Sequence, residues 1–298
     1  MALCANWFAN HFARTLRSYT LAEFTRSFGG NTQCAKKVDN RTCRIFFWSR
    51  GYRSRSEEML GSNQLKKLAS KVLNEDNMQI PLKPGRKYTV SIEGNIGCGK
   101  TTLLEYFKAS KVVEAIKEPV DQWTNVQGHN ALQLLYQDPS RWSFSFNIYA
   151  QLTRVQMHTR PHAKPVKMLE RSLFSTRHCF VENDYRNETI NGLEYAILNE
   201  WFEYLTAMPG TGVDLIVYLR ADPKVCYERI MKRSRKEEAG VPYKLIDDLH
   251  NLHEDWLVEQ NCGKLPAPVL VLDANNEYAQ MTQIYEEKRS EILCGVSA

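Results

Sequence analysis

The sequence predicts an α/β protein: a parallel β-sheet covered by helices on both faces, with a phosphate-binding loop after its first strand. Three observations lead there. A glycine-rich loop of the form G-x-x-x-x-G-K-T sits between a strand-like and a helix-like segment. Downstream, short apolar runs alternate with long helical stretches, as a parallel sheet covered on both faces requires. Composition, at 43% hydrophobic and 24% charged, is that of a globular chain and excludes wholesale disorder and collagen-like repeats.

Residues 1–56 read as a targeting leader. They hold ten Lys/Arg against two acids, a net +8 in a chain of net +5, so the remaining 242 residues carry −3. Phe8, Phe12, Leu16 and Tyr19 recur at helical spacing among Arg14, Arg17 and Arg26, with Ser and Thr interspersed. An amphipathic, Arg-rich, acid-poor segment of this kind is the signature of a mitochondrial transit peptide, and predicts a matrix protein. Arg14 and Arg17 interrupt the apolar core that a secretory signal needs. The competing reading is a basic arm that stays on the mature protein. Residues 57–87, polar and Lys-rich with Pro81 and Pro84, read as a linker into a folded body at 88–294.

The acidic body removes the case for nucleic-acid binding that the basic pI would otherwise make. The longest strongly apolar runs, 215–219 and 269–272, fall far short of the ~20 residues a membrane-spanning helix needs, so no membrane partner is expected. Eight scattered cysteines without a CxxC pair point to reduced thiols. His250 and His253 are three apart, but lack the further ligands of a zinc site and read as helix-surface histidines.

The body begins with a strand at 88–92, β-branched and aromatic, followed by Gly94, Asn95, Ile96, Gly97, Cys98, Gly99, Lys100 and Thr101, then a helix over 102–108. Strand, glycine loop and helix together are the context of a P-loop. Its backbone N–H groups curl around phosphate oxygens at a helix N-terminus. Lys100 would reach the β/γ-phosphates and the Thr101 hydroxyl would ligate Mg²⁺, which makes ATP and Mg²⁺ the expected cofactors. A chain this long matches the pattern by chance roughly once in a hundred.

Four more buried strands are expected at 112–116, 166–169, 215–219 and 269–272, with long helices at 142–158, 192–207, 223–235 and 243–258. No internal repeat is present. Ligands bind at the carboxyl ends of strands in open α/β sheets. The second strand is followed by Glu118-Pro119-Val120-Asp121-Gln122-Trp123 and the third by Glu170-Arg171-Ser172. Each acid alone reads as a solvated cap or surface ion pair; grouped beside a P-loop they form a site, in which Glu170 can hold Mg²⁺ directly or through water. The run Arg229, Arg233, Arg235, Glu237, Glu238 reads either as a solvated helix end or as an Arg-rich lid over a transferring phosphate.

These stretches resemble the deoxyribonucleoside kinase family, in particular its mitochondrial thymidine kinase and insect-type multisubstrate branches. The matching segments are GNIGCGKTT, EPVDQW, GHNALQLLYQDPSRW, ERSLFSTRHCFVEN, DLIVYLRADPKVCYERI, RSRKEE and LHNLHEDWL, nearly continuous over 90–273. The resemblance implies a P-loop kinase fold and a homodimer that moves the γ-phosphoryl of ATP to the 5′-hydroxyl of a deoxyribonucleoside. It implies Glu118 as general base with Arg171 beside it, and Tyr136 and Glu238 on the sugar 3′-hydroxyl. Trp123, Phe146 and Phe180 would line the base pocket, and Arg233 and Arg235 would be the lid arginines. Thr102 falls in the matched phosphate loop.

The pocket departs from the family in three places. Asn147 stands where the family carries Gln, Arg154 where thymidine-preferring members carry Met, and Thr176 where deoxycytidine and purine kinases carry Asp, while Ala150 matches that second group. This hybrid pocket predicts pyrimidine deoxyribonucleosides as substrates, with deoxycytidine at least as good as thymidine. Two other classes compete. A nucleoside monophosphate kinase shares the P-loop, strand-end Arg and lid. A non-catalytic accessory subunit of a mitochondrial complex shares the fold, and should have lost Lys100, Thr101, Glu118 or Arg171.

Overall fold

The computed structural model describes residues 86–233 and 240–297. The predicted leader, the linker up to its last two residues, Arg235 and Glu238 lie outside the described residues. The five expected strands are β1 (Tyr88–Gly94), β2 (Val113–Ile116), β3 (Val166–Glu170), β4 (Leu215–Arg220) and β5 (Val269–Asp273). They form one all-parallel sheet in the order β2-β3-β1-β4-β5. The interior strands β3, β1 and β4 are each paired on both sides.

Two strands are less buried than their sequences suggest. β1 and β3 are buried along their whole length, but Val271 of β5 is 44% exposed and Glu114 and Ala115 of β2 are only partly covered. Both lie at sheet edges, where fewer neighbouring elements cover each face.

The helices in chain order are α1 (Lys100–Lys108), α2 (Val120–Thr124), α3 (Ala131–Gln137), α4 (Pro139–Thr159), α5 (Leu173–Ser175), α6 (Glu182–Arg186), α7 (Gly192–Thr206), α8 (Pro223–Arg233), α9 (Tyr243–His253), α10 (Tyr278–Glu287) and α11 (Arg289–Ile292). Asp138 caps α4, its carboxylate accepting from Arg141 N, and Pro139 sits in the first turn, where the missing N–H costs nothing. Leu103, Phe107, Ile230 and Tyr285, from α1, α8 and α10, pack with Val90, Ile92 and Val217 on one face of the sheet. Ile216 and Tyr218 pack on the other face with Leu249, Leu252 and Trp256. Each such fully buried side chain contributes about 1.5–3 kcal/mol.

The helix expected over 243–258 is α9 followed by a π-helical turn, Glu254–Val258. His253 is 0% exposed, with Nδ1 on Leu249 O and the ring stacked on Tyr218. It is a core residue rather than a surface one, because α9 turns that side toward the sheet.

Candidate active site

The strand register brings the separate sequence segments together. Ile92 pairs with Glu170 across β1–β3, and Ile116 with Leu169 across β2–β3, so the loops after β1, β2 and β3 emerge side by side. They open into a cleft of about 1080 Å³. Its lining includes Ile96, Gly97, Cys98, Gly99, Lys100, Thr101 and Thr102, then Glu118, Trp123, Tyr136, Phe146, Asn147, Arg154, Glu170, Arg171, Thr176, Phe180 and Arg233. Gly94 and Asn95 are not among the lining residues.

Gly94, Gly97 and Gly99 adopt φ of 139°, 82° and 101°, the left-handed backbone that only glycine takes without strain. At Gly97 a Cβ would meet Cys226 O at 2.5 Å, so the loop is both curled and pressed against α8. The Asn95 side chain turns inward, donating to Ile246 O at 2.7 Å, and can serve phosphate only through its backbone. Lys100 is buried and donates to Asn95 O at 2.6 Å and Gly94 O at 3.2 Å. Its ammonium is therefore held inside the curl of the loop.

Glu170 joins two segments: it accepts from Thr101 Oγ1 at 2.5 Å and, at 3.5 Å, from Glu118 N. A hydroxyl beside a carboxylate is a hard-oxygen donor pair suited to Mg²⁺. Among the described residues no group of three His, Cys, Asp or Glu side chains is placed to hold a metal ion.

Glu118 lies between two guanidiniums. Arg154 Nη2 donates to its Oε1, and Arg171 Nε stands 3.5 Å from the same oxygen. Burial alone would raise the Glu118 carboxyl, but Arg154, Arg171 and Lys100 hold it below its ordinary value, so it is ionised at neutral pH. Arg171 sits at φ +64°, uncommon for a residue with a side chain, and its guanidinium lies 4.7 Å from the centre of the Phe180 ring. Arg154 donates also to Ser172 O at 3.2 Å and lies over the Trp123 and Phe180 rings. Arg154 and Thr176 both line the cleft. The counter-ion of Arg154 is Glu118, 36 residues away, and Thr176 donates to Ser172 O.

The aromatic wall is built by α2 and α4. Trp123 meets Phe146 edge-on at 5.4 Å and its Nε1 donates to Thr153 Oγ1 at 3.0 Å. Tyr136, partly buried, packs against the same cluster from α3. Thr176 and Phe180 arrive on a π-helical turn, Thr176–Val181, of the kind often found at functional sites. Asn147 donates both amide protons inward, to Ser143 O at 2.9 Å and to Asp184 Oδ2 at 2.8 Å. Asp184 was not singled out by the sequence. It lies four residues beyond Phe180 and eight beyond Thr176, and that spacing along one helical face was the available signal.

Arg229, the first residue of the basic run, lines the cleft and is anchored. Its guanidinium donates to Ala274 O, Asn275 O and Asn276 O, clamping the loop before α10.

A sequence profile described as deoxynucleoside kinase matches residues 90–294. The chain is 43% identical over 208 residues to "Thymidine kinase 2, mitochondrial" of Homo sapiens, covering 70% of this chain and 78% of that protein. It is 36% identical over 234 residues to "Deoxycytidine kinase" of Mus musculus, covering 68% of this chain and 90% of the relative.

Proposed function

The chain belongs to the deoxynucleoside kinase family, and from that premise we propose that it phosphorylates the 5′-hydroxyl of deoxyribonucleosides with ATP, as a step of nucleotide salvage. The observation that carries the reading is the position of Glu118: an ionised carboxylate in the cleft that also holds Lys100 and the phosphate loop. Phosphoryl transfer passes through a loose transition state, so catalysis is mainly positioning and charge stabilisation. A carboxylate whose proton affinity is held down by two guanidiniums is a weak base toward an alcohol. Glu118 therefore orients the 5′-hydroxyl and accepts its proton late, as the bond to phosphorus forms. Arg171 and Lys100 stabilise charge on the phosphoryl oxygens. Thr101 and Glu170 would hold Mg²⁺, which would supply positive charge against the developing phosphoryl charge.

Trp123, Phe146 and Phe180 enclose the base, and Tyr136 with Glu238 holds the sugar 3′-hydroxyl. Arg233 and Arg235 close over the phosphates as lid arginines. The enzyme works as a homodimer; Leu152, Leu193, Trp201 and Tyr204, exposed on α4 and α7, are the apolar surface a second copy would cover. Residues 1–56 carry it to the mitochondrial matrix, a reading supported by the basic leader and by the named location of the human relative.

The test is the purified full-length chain with ATP, Mg²⁺ and a deoxyribonucleoside panel, the product identified as the 5′-monophosphate. Glu118→Gln should lower kcat by ~10²–10⁴ with a smaller change in nucleoside KM. Phosphorylation of deoxynucleoside monophosphates but not of nucleosides would overturn the reading. For the leader, residues 1–56 should carry a fluorescent passenger to mitochondria, and replacing Arg14, Arg17 and Arg26 by Glu should abolish this.

A further inference from the structure

One carboxylate in the cleft has no part in the phosphoryl-transfer cluster. Asp184, on α6, lines the cleft beside Ser143, Asn147, Asn183 and Thr189. Its Oδ2 accepts from Asn147 Nδ2 at 2.8 Å and its Oδ1 from Asn183 Nδ2 at 3.3 Å. The second Asn147 amide proton goes to Ser143 O at 2.9 Å. The orientation of this amide is fixed by its neighbours. Flipping it would set its carbonyl against a carboxylate and a backbone carbonyl, both acceptors. Both donors are therefore spent, and the amide has only its Oδ1 to offer a ligand.

Arg154 and Arg171 direct their hydrogen bonds and ion pairs to Glu118 and Ser172 O, and neither bonds Asn147 or Asp184. Asn147 and Asp184 line the same cleft as Trp123 and Phe146, whose edge-on pair forms the aromatic wall on which a flat base would lie. Burial raises the Asp184 carboxyl, and the hydrogen bonds from Asn147, Asn183, Ser143 and Thr189 work against that rise.

We propose that the Asn147–Asp184 pair reads the nucleobase with acceptors only, selecting a base that carries an exocyclic amino group over one with a carbonyl at that place. This rests on the deoxyribonucleoside kinase reading. An amino group donates to Asn147 Oδ1, the acceptor that the Asp184-held amide leaves open. A carbonyl there brings acceptor against acceptor, and each loses water without gaining a partner. The sequence-based expectation is deoxycytidine at least as good as thymidine, and this proposal sharpens it to a preference. The discriminating group is the Asp184-held amide.

Deoxycytidine and deoxyuridine test this cleanly, since both have the same sugar and lack the methyl, and they differ in the group at C4. With full-length enzyme and Mg²⁺–ATP, kcat/KM should favour deoxycytidine by at least tenfold, mainly through KM. In Asp184→Asn, whose new amide offers the base an N–H donor, that ratio should fall by at least tenfold. A ratio measured within one preparation does not depend on the fraction of active protein. A wild-type ratio near one overturns the proposal even if the variant does not fold, and so does an unchanged ratio in the variant. If the wild type phosphorylates no deoxyribonucleoside at all, the kinase reading fails and the proposal falls with it.

Discussion

Replacing Arg154 with Met probes the cluster at its most connected point. The Arg154 side chain is 3% exposed and that of Glu118 17%, so the pair is largely removed from water. Breaking a buried pair outright costs about 3–5 kcal/mol, because the remaining charge is uncompensated. Here compensation remains: Arg171 Nε stays 3.5 Å from Glu118 Oε1. Ser172 O keeps donors from Ser175 Oγ at 3.1 Å and Thr176 Oγ1 at 3.3 Å. The loss is therefore nearer that of one hydrogen bond to a charged group, about 1.5–3 kcal/mol, or roughly 3–12 °C in Tm for a body of this size. The diagnostic effect is on acidity. Glu118 is held below its ordinary value partly by Arg154, so removing that charge moves its protonation upward in pH. The acid limb of kcat should shift to higher pH in Arg154→Met, and shift less in Arg154→Lys, which keeps the charge. An acid limb unmoved in Arg154→Met, with Tm unchanged, would refute the pairing as the control on Glu118.

Three further outcomes follow from the geometry. Lys100→Ala should lower kcat by about 10²–10³, losing a preorganised positive charge, while circular dichroism stays native. Gly97→Ala should lower Tm and ATP affinity more than Gly99→Ala: both positions have positive φ, but only at Gly97 does a Cβ meet a backbone oxygen at 2.5 Å. Each left-handed alanine costs about 1–2 kcal/mol before any clash, so equal Tm losses would contradict the contact with Cys226. Acid should unfold the protein early. Burial, with nearby Lys167 and Arg171, pushes His158 and His253 down to about 3. Their folded values lie below the unfolded ones, so the unfolded state takes up protons below about pH 6.5 and stability falls by up to about 1.4 kcal/mol per pH unit for each. Urea midpoints that stay level between pH 7 and 5 would contradict this.

What the sequence made legible was local. The P-loop needs glycine at fixed steps, a lysine and a hydroxyl, and no distant partner has to be known to see it. The strands are short apolar runs, and their carboxyl ends locate Glu118, Glu170 and Arg171 without knowledge of sheet order. What stayed hidden depends on neighbours far along the chain. Glu118 and Arg154 are 36 residues apart, Asn147 and Asp184 are 37 apart, and no periodicity links either pair. The burial of His253 depends on which way α9 faces, and the exposure of β5 on its edge position. Neither is written in its own segment. Arg229 shows the same limit, since a charge run does not reveal that its first guanidinium holds three loop carbonyls.

The buried charges explain why one cluster can both hold still and catalyse. Lys100, Arg154 and Arg171 face Glu93, Glu118 and Glu170, three cations against three carboxylates, all near the carboxyl ends of β1, β2 and β3. Glu93, 0% exposed, accepts from Ser91 and Ser172 hydroxyls at 2.6 and 2.5 Å, and Ser172 O in turn accepts from Arg154. The set is balanced in charge but not in hydrogen bonds. Arg154 Nε and Arg171 Nη1 are buried without a protein acceptor among the described residues. Donors fully spent on the resting protein would stabilise ground and transition states alike and leave the barrier unchanged. Donors fixed in place but uncommitted can be recruited when charge develops on a transferring phosphoryl group. On the proposed function, the cost of carrying them unpaired is set against the barrier, and Glu93, which touches no substrate, matters because it keeps Ser172 and hence Arg154 in position.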